Sequence, residues 1–186
     1  MGDGEQTAGT TAIGGELPDP EPYEISQPCT HEELLAVAKV YARAVVRETG
    51  LTVSVSELDW EMSTRAQRRA GATTYRDGEP QSIKLAWKQF ERRGWEATAS
   101  TIRHELIHVH LLNEDVGSGH GEPFRRLAAE LETDVHCERF TDPKWWVHCT
   151  ECDATLARYR RSKLISNPDS YKCANCGGDF RVEAND

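Results

Sequence analysis

Apolar residues recur at helical spacing through Leu34, Val37, Ala38, Tyr41 and Val45, which predicts a first helix. Thr30-His31-Glu32-Glu33 opens it with a capping-box pattern, a hydroxyl followed three residues later by a glutamate, and Gly50 supplies a stop. Leu51, Val53 and Val55 then alternate with polar residues and read as a half-buried strand. Asp77-Gly78 is a turn signal, and Ser82-Ile83-Lys84-Leu85 reads as the strand returning from it. A short helical stretch over 87–92 breaks at Gly94. A long helix follows over about 96–112, with Ile102, Leu106 and Val109 on its apolar side. Gly117, Gly119 and Gly121 make a flexible loop. Glu122-Pro123 opens another helix, whose apolar face is Phe124, Leu127, Ala128 and Leu131. Beyond Pro143 the pattern changes to short strands and paired cysteines. Residues 1–29 are rich in Gly, Thr, Glu and Pro, lack periodicity, and read as a disordered acidic tail. The expected organisation is that tail, an α+β core over 30–142 with helices and a small antiparallel sheet, and a small β unit over 143–186.

Composition narrows the class. The 186 residues are 38% hydrophobic and 28% charged, too apolar for a wholly disordered chain. No stretch approaches the roughly 18–20 apolar residues of a membrane span, so no membrane partner is expected. The first basic residue is Lys39, so neither a secretory signal nor a transit peptide is legible, and a cytoplasmic location, with nucleoid association possible, is the expectation. The formal charge of −9 hides a local excess of base: residues 63–103 hold nine bases and four acids. An acidic total therefore does not exclude a nucleic-acid partner.

The first candidate chemistry is His104-Glu105-Leu106-Ile107-His108. Two histidines four apart on a helix point to the same side, so both imidazoles can grip one Zn²⁺. Glu105, one residue on, can reach a water at such a metal, the arrangement of a helix-borne metallopeptidase motif with Glu as general base. A catalytic zinc wants a third protein ligand and an open position. His110, Glu114, His120 and His136 are the candidates. His110 projects away from His108. Gly119-His120-Gly121 can fold the chain back on the helix, which favours His120 and leaves His136 as the fallback.

The second is four cysteines. Cys149-Thr150-Glu151-Cys152 and Cys173-Ala174-Asn175-Cys176 are two CxxC pairs twenty residues apart, the pattern of a closed structural zinc site with four thiolate ligands. One catalytic and one structural Zn²⁺ are therefore expected. Cys29 reads as an exposed thiol and Cys137 as a small packing residue. Trp146 and Tyr159 lie among Arg158, Arg160, Arg161 and Lys163, and aromatics beside bases suit single-stranded nucleic acid, stacking for the bases and cations for the phosphates. The competing reading makes the local aromatics the miniature core of the cysteine unit.

The order of these features, His104-Glu105-Leu106-Ile107-His108, then Gly119-His120-Gly121 with Phe124, then a Trp-flanked CxxC…CxxC ribbon, resembles the SprT-like family, which includes the Spartan proteases. The resemblance spans roughly 30–180 and takes in Trp60, Ala70-Gly71 and Ile83-Lys84-Leu85. It implies a zincin-like metallopeptidase core followed by a zinc ribbon, with His104, His108 and His120 as zinc ligands and Glu105 as catalytic base. For Spartan-like members it implies cleavage of proteins crosslinked to DNA, stimulated by DNA bound near the ribbon. Ten residues follow Cys176, so the long partner-binding tail of the eukaryotic members is not expected here. Two other classes stay open from the sequence: a non-catalytic zinc-stabilised DNA-binding adaptor, and a metallopeptidase indifferent to DNA.

Overall fold

The computed structural model describes residues 14–136 and 140–185. These form two compact units, one ending at Phe140 and the other beginning at Thr141.

Helix α1 (His31–Thr49) starts as its capping box requires. The Glu33 N–H donates to the Thr30 hydroxyl oxygen at 3.1 Å, and the Thr30 N–H donates to the Glu33 carboxylate at 2.7 Å. Each bond satisfies an N–H that the first helical turn leaves without a partner, an effect typically worth about 1 kcal/mol. Gly50 ends the helix in the left-handed conformation at φ 72°, donating its N–H to Val46 O. Leu34, Ala38, Tyr41, Ala42 and Val45 are buried on one face, at the spacing the sequence showed.

Residues 51–58 do not form the expected strand. Leu51, Val55 and Leu58 are buried in the core, but the backbone finds its partners elsewhere. The Thr52 N–H donates to His110 Nδ1 at 3.1 Å, Asn113 donates to Thr52 O at 2.6 Å, and the Thr52 hydroxyl donates to Glu114 at 2.6 Å. Helix side chains thus replace the neighbouring strand that such an alternation would otherwise need.

The sheet of this unit comprises β1 (Asp59–Ser63), β2 (Gly71–Arg76) and β3 (Glu79–Ala86), in the order β1-β3-β2. β2 and β3 form an antiparallel hairpin across Asp77-Gly78, both at positive φ as a two-residue hairpin turn requires. β1 pairs parallel to β3, with Trp60 opposite Ile83 and Met62 opposite Leu85, so the α+β class stands with one parallel pairing in an otherwise antiparallel set. Residues 64–70 cause this, carrying the chain past the place that β3 later fills. β2 is left at the sheet edge, against helix α2 (Trp87–Asn113). α2 breaks at Gly94 (φ 72°, ψ −164°) and continues through both histidines of the first motif. α3 (Glu122–Glu130) carries Pro in its first turn and buries Phe124, Leu127 and Ala128.

Residues 14–29, expected as part of a tail, meet the core instead. Among the described residues, Leu17, Tyr23, Ile25 and Cys29 pack against the core, and Trp95 Nε1 donates to Pro20 O at 2.8 Å. Sparse apolar residues without periodicity hold this segment through tertiary contacts that no local pattern reveals. Cys29 is accordingly half-buried. Residues 1–13 and Cys137 lie outside the described residues.

In the second unit, β4 (Trp145–Cys149) lies between β5 (Thr155–Arg158) and β6 (Phe180–Ala184), all antiparallel. A single turn of helix, α4 (Lys163–Ser166), follows β5. Of its described residues only Pro143, Val147 and Cys173 are buried. No helix among the described residues is long and apolar enough to cross a membrane.

Candidate active site and metal centres

α2 presents His104, Glu105 and His108, and the loop between α2 and α3 folds back to add His120. The turn is made by Asp115 (φ 55°) and Gly117 (φ 105°), and Ser118 Oγ donates to the Tyr75 hydroxyl at 3.2 Å to tie the loop to the end of β2. The three histidines converge through the same ring atom. His108 Nε2 lies 3.2 Å from His104 Nε2 and 3.0 Å from His120 Nε2. Phe124, fully buried, backs all three rings at centroid distances of 4.4–4.8 Å.

Protonation follows from these surroundings. His104 Nδ1 lies 2.8 Å from the Asp134 carbonyl, which can only accept, so Nδ1 carries the proton and Nε2 keeps its lone pair. Burial holds His108 down to about 4, with neighbouring His104 and His120 adding to the effect. Burial likewise lowers His104 and His120. His104 Nε2 therefore offers its lone pair beside the Nε2 atoms of two further imidazoles, an arrangement that a cation among them would satisfy. Tetrahedral ligands at ~2.0–2.1 Å stand roughly 3.4 Å apart, close to the spacing seen here, so the set fits a divalent metal. His110 accepts from Thr52 and Glu114 from its hydroxyl, so both belong to the 51–58 anchorage. His136 is exposed, its ring centroid 5.6 Å from that of His120, and the grouped ligand atoms are those of His104, His108 and His120.

Glu105 is 3% exposed. The Thr73 hydroxyl donates to its Oε2 at 2.8 Å, and burial outweighs that bond to push the carboxyl up to about 7. Gly71 explains how the sheet edge comes so near: a Cβ there would stand 2.7 Å from Glu105 Oε1 and 2.7 Å from Thr101 Cγ2. The site opens on a cleft of about 820 Å³ lined by β2, α2 and residues 132–136. In the sequence Gly71 stands out only through the family resemblance, and nothing local marks Thr73 or Asp134. Each works through tertiary proximity, and a small residue in a strand or a carbonyl in a loop carries no local signal.

The four cysteines also converge. Cys149 and Cys176 Sγ lie 3.4 Å apart and Cys152 and Cys173 Sγ 3.8 Å apart, near the roughly 3.8 Å edge of a tetrahedron with ~2.3 Å metal–sulfur bonds. Backbone N–H groups of Glu151 and Gly178 donate to Cys149 and Cys176 Sγ at 3.4 Å, and the first of these holds the Cys149 thiol down to about 7. Gly178 has no space for a side chain, because a Cβ would stand 2.4 Å from Glu151 Cγ. The chemistry of four sulfur donors with N–H support fits a closed metal site.

The six nucleic-acid candidates divide. Arg160, Arg161 and Lys163 are exposed, whereas Trp146, Arg158 and Tyr159 are half-buried. Trp146 stands opposite Ala157 and Glu183 in the sheet, on the face away from Val147, and Arg158 Nη1 donates to Ala157 O at 3.1 Å.

The two ligand clusters and the α+β frame define a protein with two candidate metal centres, one open to a cleft and one closed. The model of the SprT-like family matches residues 35–155, and the chain belongs to that family. Relatives named Protein SprT-like include one from Geobacillus sp. (strain WCH70), 31% identical over 110 residues covering 55% of this chain and 68% of the relative. Another, from Streptococcus gordonii, is 27% identical over 139 residues, 70% of this chain and 90% of the relative. A third, from Staphylococcus carnosus, is 28% identical over 143 residues, 71% and 91% of the two chains.

Proposed function

We propose that this chain is a zinc-dependent endopeptidase acting on proteins bound or crosslinked to DNA. The observation that carries the peptidase reading is Glu105, a buried carboxyl aimed into the cleft that receives three converging imidazole nitrogens. A merely structural metal has no use for such a group. His104, His108 and His120 would hold a zinc ion, and Cys149, Cys152, Cys173 and Cys176 a second one. Zinc at the histidine site supplies Lewis acidity, polarising a peptide carbonyl and lowering the pKa of water towards neutrality.

The chain's own groups do the rest. Glu105 takes a proton from water as the water oxygen bonds to the peptide carbonyl carbon, then delivers it to the amine nitrogen as the C–N bond breaks. Burial strengthens the hold of the Glu105 carboxyl on a proton, which favours its acceptance from water. The Thr73 hydroxyl fixes Oε2 in place. β2 offers the cleft an unpaired sheet edge, to which an extended segment of substrate can add as a further strand.

DNA association is supported by exposed Arg160, Arg161 and Lys163 beside half-buried Trp146 and Tyr159. The test is cleavage of a basic DNA-binding protein by zinc-loaded enzyme, with and without single-stranded DNA. Cleavage that DNA stimulates, and that Arg160→Ala with Arg161→Ala loses only in its DNA-dependent part, is expected. Cleavage indifferent to DNA would leave a metallopeptidase without the DNA role, and binding to DNA without any cleavage would support the adaptor.

A further inference from the structure

Arg103 precedes the first metal-site histidine and is 3% exposed. A buried guanidinium is an expensive residue to keep, and this one is incompletely satisfied: its Nε has no hydrogen-bond partner, and the nearest carboxylate, on largely exposed Glu96, is 3.8 Å away. A leucine or methionine would serve packing better. Its two good bonds show what it holds. Nη1 donates to the Tyr41 hydroxyl at 2.7 Å, and Nη2 donates to the backbone carbonyl of Glu132 at 2.9 Å.

Glu132 begins the stretch that reaches the metal site. It has φ 48°, a conformation L-residues adopt at a cost, so the segment needs external restraint. α2 supplies it from residues on one face, at the three- and four-residue spacings of a helix. Arg103 grips residue 132. Ser100 grips residue 133, its carbonyl accepting from the Thr133 hydroxyl at 2.7 Å. His104 then meets residue 134, its Nδ1 donating to Asp134 O at 2.8 Å. Three consecutive residues of the loop are thus held by three residues of one helical turn, and only the last contact touches a metal-site side chain.

We infer that Arg103 is a positioning residue: by anchoring the Glu132 carbonyl it holds the Asp134 carbonyl against His104 Nδ1, and so fixes the tautomer that turns His104 Nε2 towards the metal position. This rests on the reading of the three histidines as metal ligands. Direct hydrogen-bond partners of a ligating histidine typically change metal affinity about 10–100-fold when removed, and Arg103 stands one step behind that partner, towards the lower end of the range.

The test compares Arg103→Met and Arg103→Lys with the parent chain in two measurements: zinc affinity at the histidine site by chelator competition, and the His104 tautomer by ring ¹⁵N shifts in the metal-free protein. For Arg103→Met we expect affinity roughly 10-fold weaker and a His104 ring that no longer holds its proton solely on Nδ1. Lysine, which can still donate to Glu132 O, is expected to recover part of both. Folded Arg103→Met with unchanged affinity and an unchanged tautomer would overturn the inference. If methionine prevents folding, Arg103→Gln decides, because its shorter amide loses the double grip on Tyr41 and Glu132, and affinity and tautomer equal to the parent would overturn the inference equally. A parent chain that binds no zinc at the histidines would defeat the metal reading, and the tautomer measurement would then still judge Arg103 by itself.

Discussion

The histidine and cysteine clusters are built in opposite ways. His104, His108 and His120 stand on a scaffold already complete, with Leu106, Ile107, Phe124 and Leu127 fully buried behind them and a sheet edge across the cleft. The cysteine cluster has almost nothing behind it: its unit buries only Pro143, Val147 and Cys173 among the described residues. One set of ligands rests on a fold, and the other supplies one. A small unit with so little apolar burial gains its stability from cross-links or metal. The contrast supports the proposed division of work, because a cluster that does not have to hold the chain together is free to keep an open position.

Removing metal should separate the two most strongly. Structural zinc contributes on the order of 10–16 kcal/mol in small zinc domains, so chelation is expected to unfold residues 141–185 while the first unit keeps a cooperative thermal transition. Hydrogen exchange resolved by segment checks this, and loss of protection in both units together would contradict it. Cys173→Ser should reproduce the effect on the second unit alone.

The next effect concerns the first unit. His108→Ala should abolish metal binding at the histidines and all cleavage, yet leave the helical circular dichroism and the melting midpoint nearly unchanged. Unfolding of the first unit in this variant would mean that its cluster is structural too.

Gly71→Ala is subtler. Its Cβ would stand 2.7 Å from Glu105 Oε1, so the strand or the carboxylate must shift. Displacements approaching 1 Å in a catalytic group can cost about 100-fold, so kcat should fall by that order while zinc content holds. Thr73→Val should do least, removing the single hydroxyl on Glu105 Oε2 and lowering kcat by roughly 10-fold, with about 1 kcal/mol lost in stability.

What the sequence made legible follows the same division. Features that act through local spacing were readable: the Thr30 capping box, the Gly50 stop, the break at Gly94, the two histidines of one helix turn, and the paired cysteines. His120 was reachable because glycines flank it and a helix follows at once. Features created by distant segments meeting were not. The alternation of Leu51, Val53 and Val55 suggested a strand, but Thr52 bonds to the far end of α2 instead. Residues 14–29 looked like free tail, yet Pro20 meets Trp95 across the fold and Tyr23 packs edge-on against Tyr41, with ring centroids 5.3 Å apart. Among the supports of the site, Gly71 was visible only through the family resemblance, and Thr73, Arg103 and Asp134 escaped for the same reason. Each matters for what stands opposite it, and that partner lies about 30 or more residues away in the chain, or 62 for Arg103 and Tyr41.

In the proposed function a ready-made scaffold offers an open metal site to Glu105 as a proton carrier. Glu105→Gln tests it most directly, through zinc content and cleavage rate measured on the same preparation. Two zinc ions per chain, as in the parent, are expected, with cleavage reduced by about 10²–10⁴-fold. Undiminished cleavage, or loss of zinc along with cleavage, would contradict it.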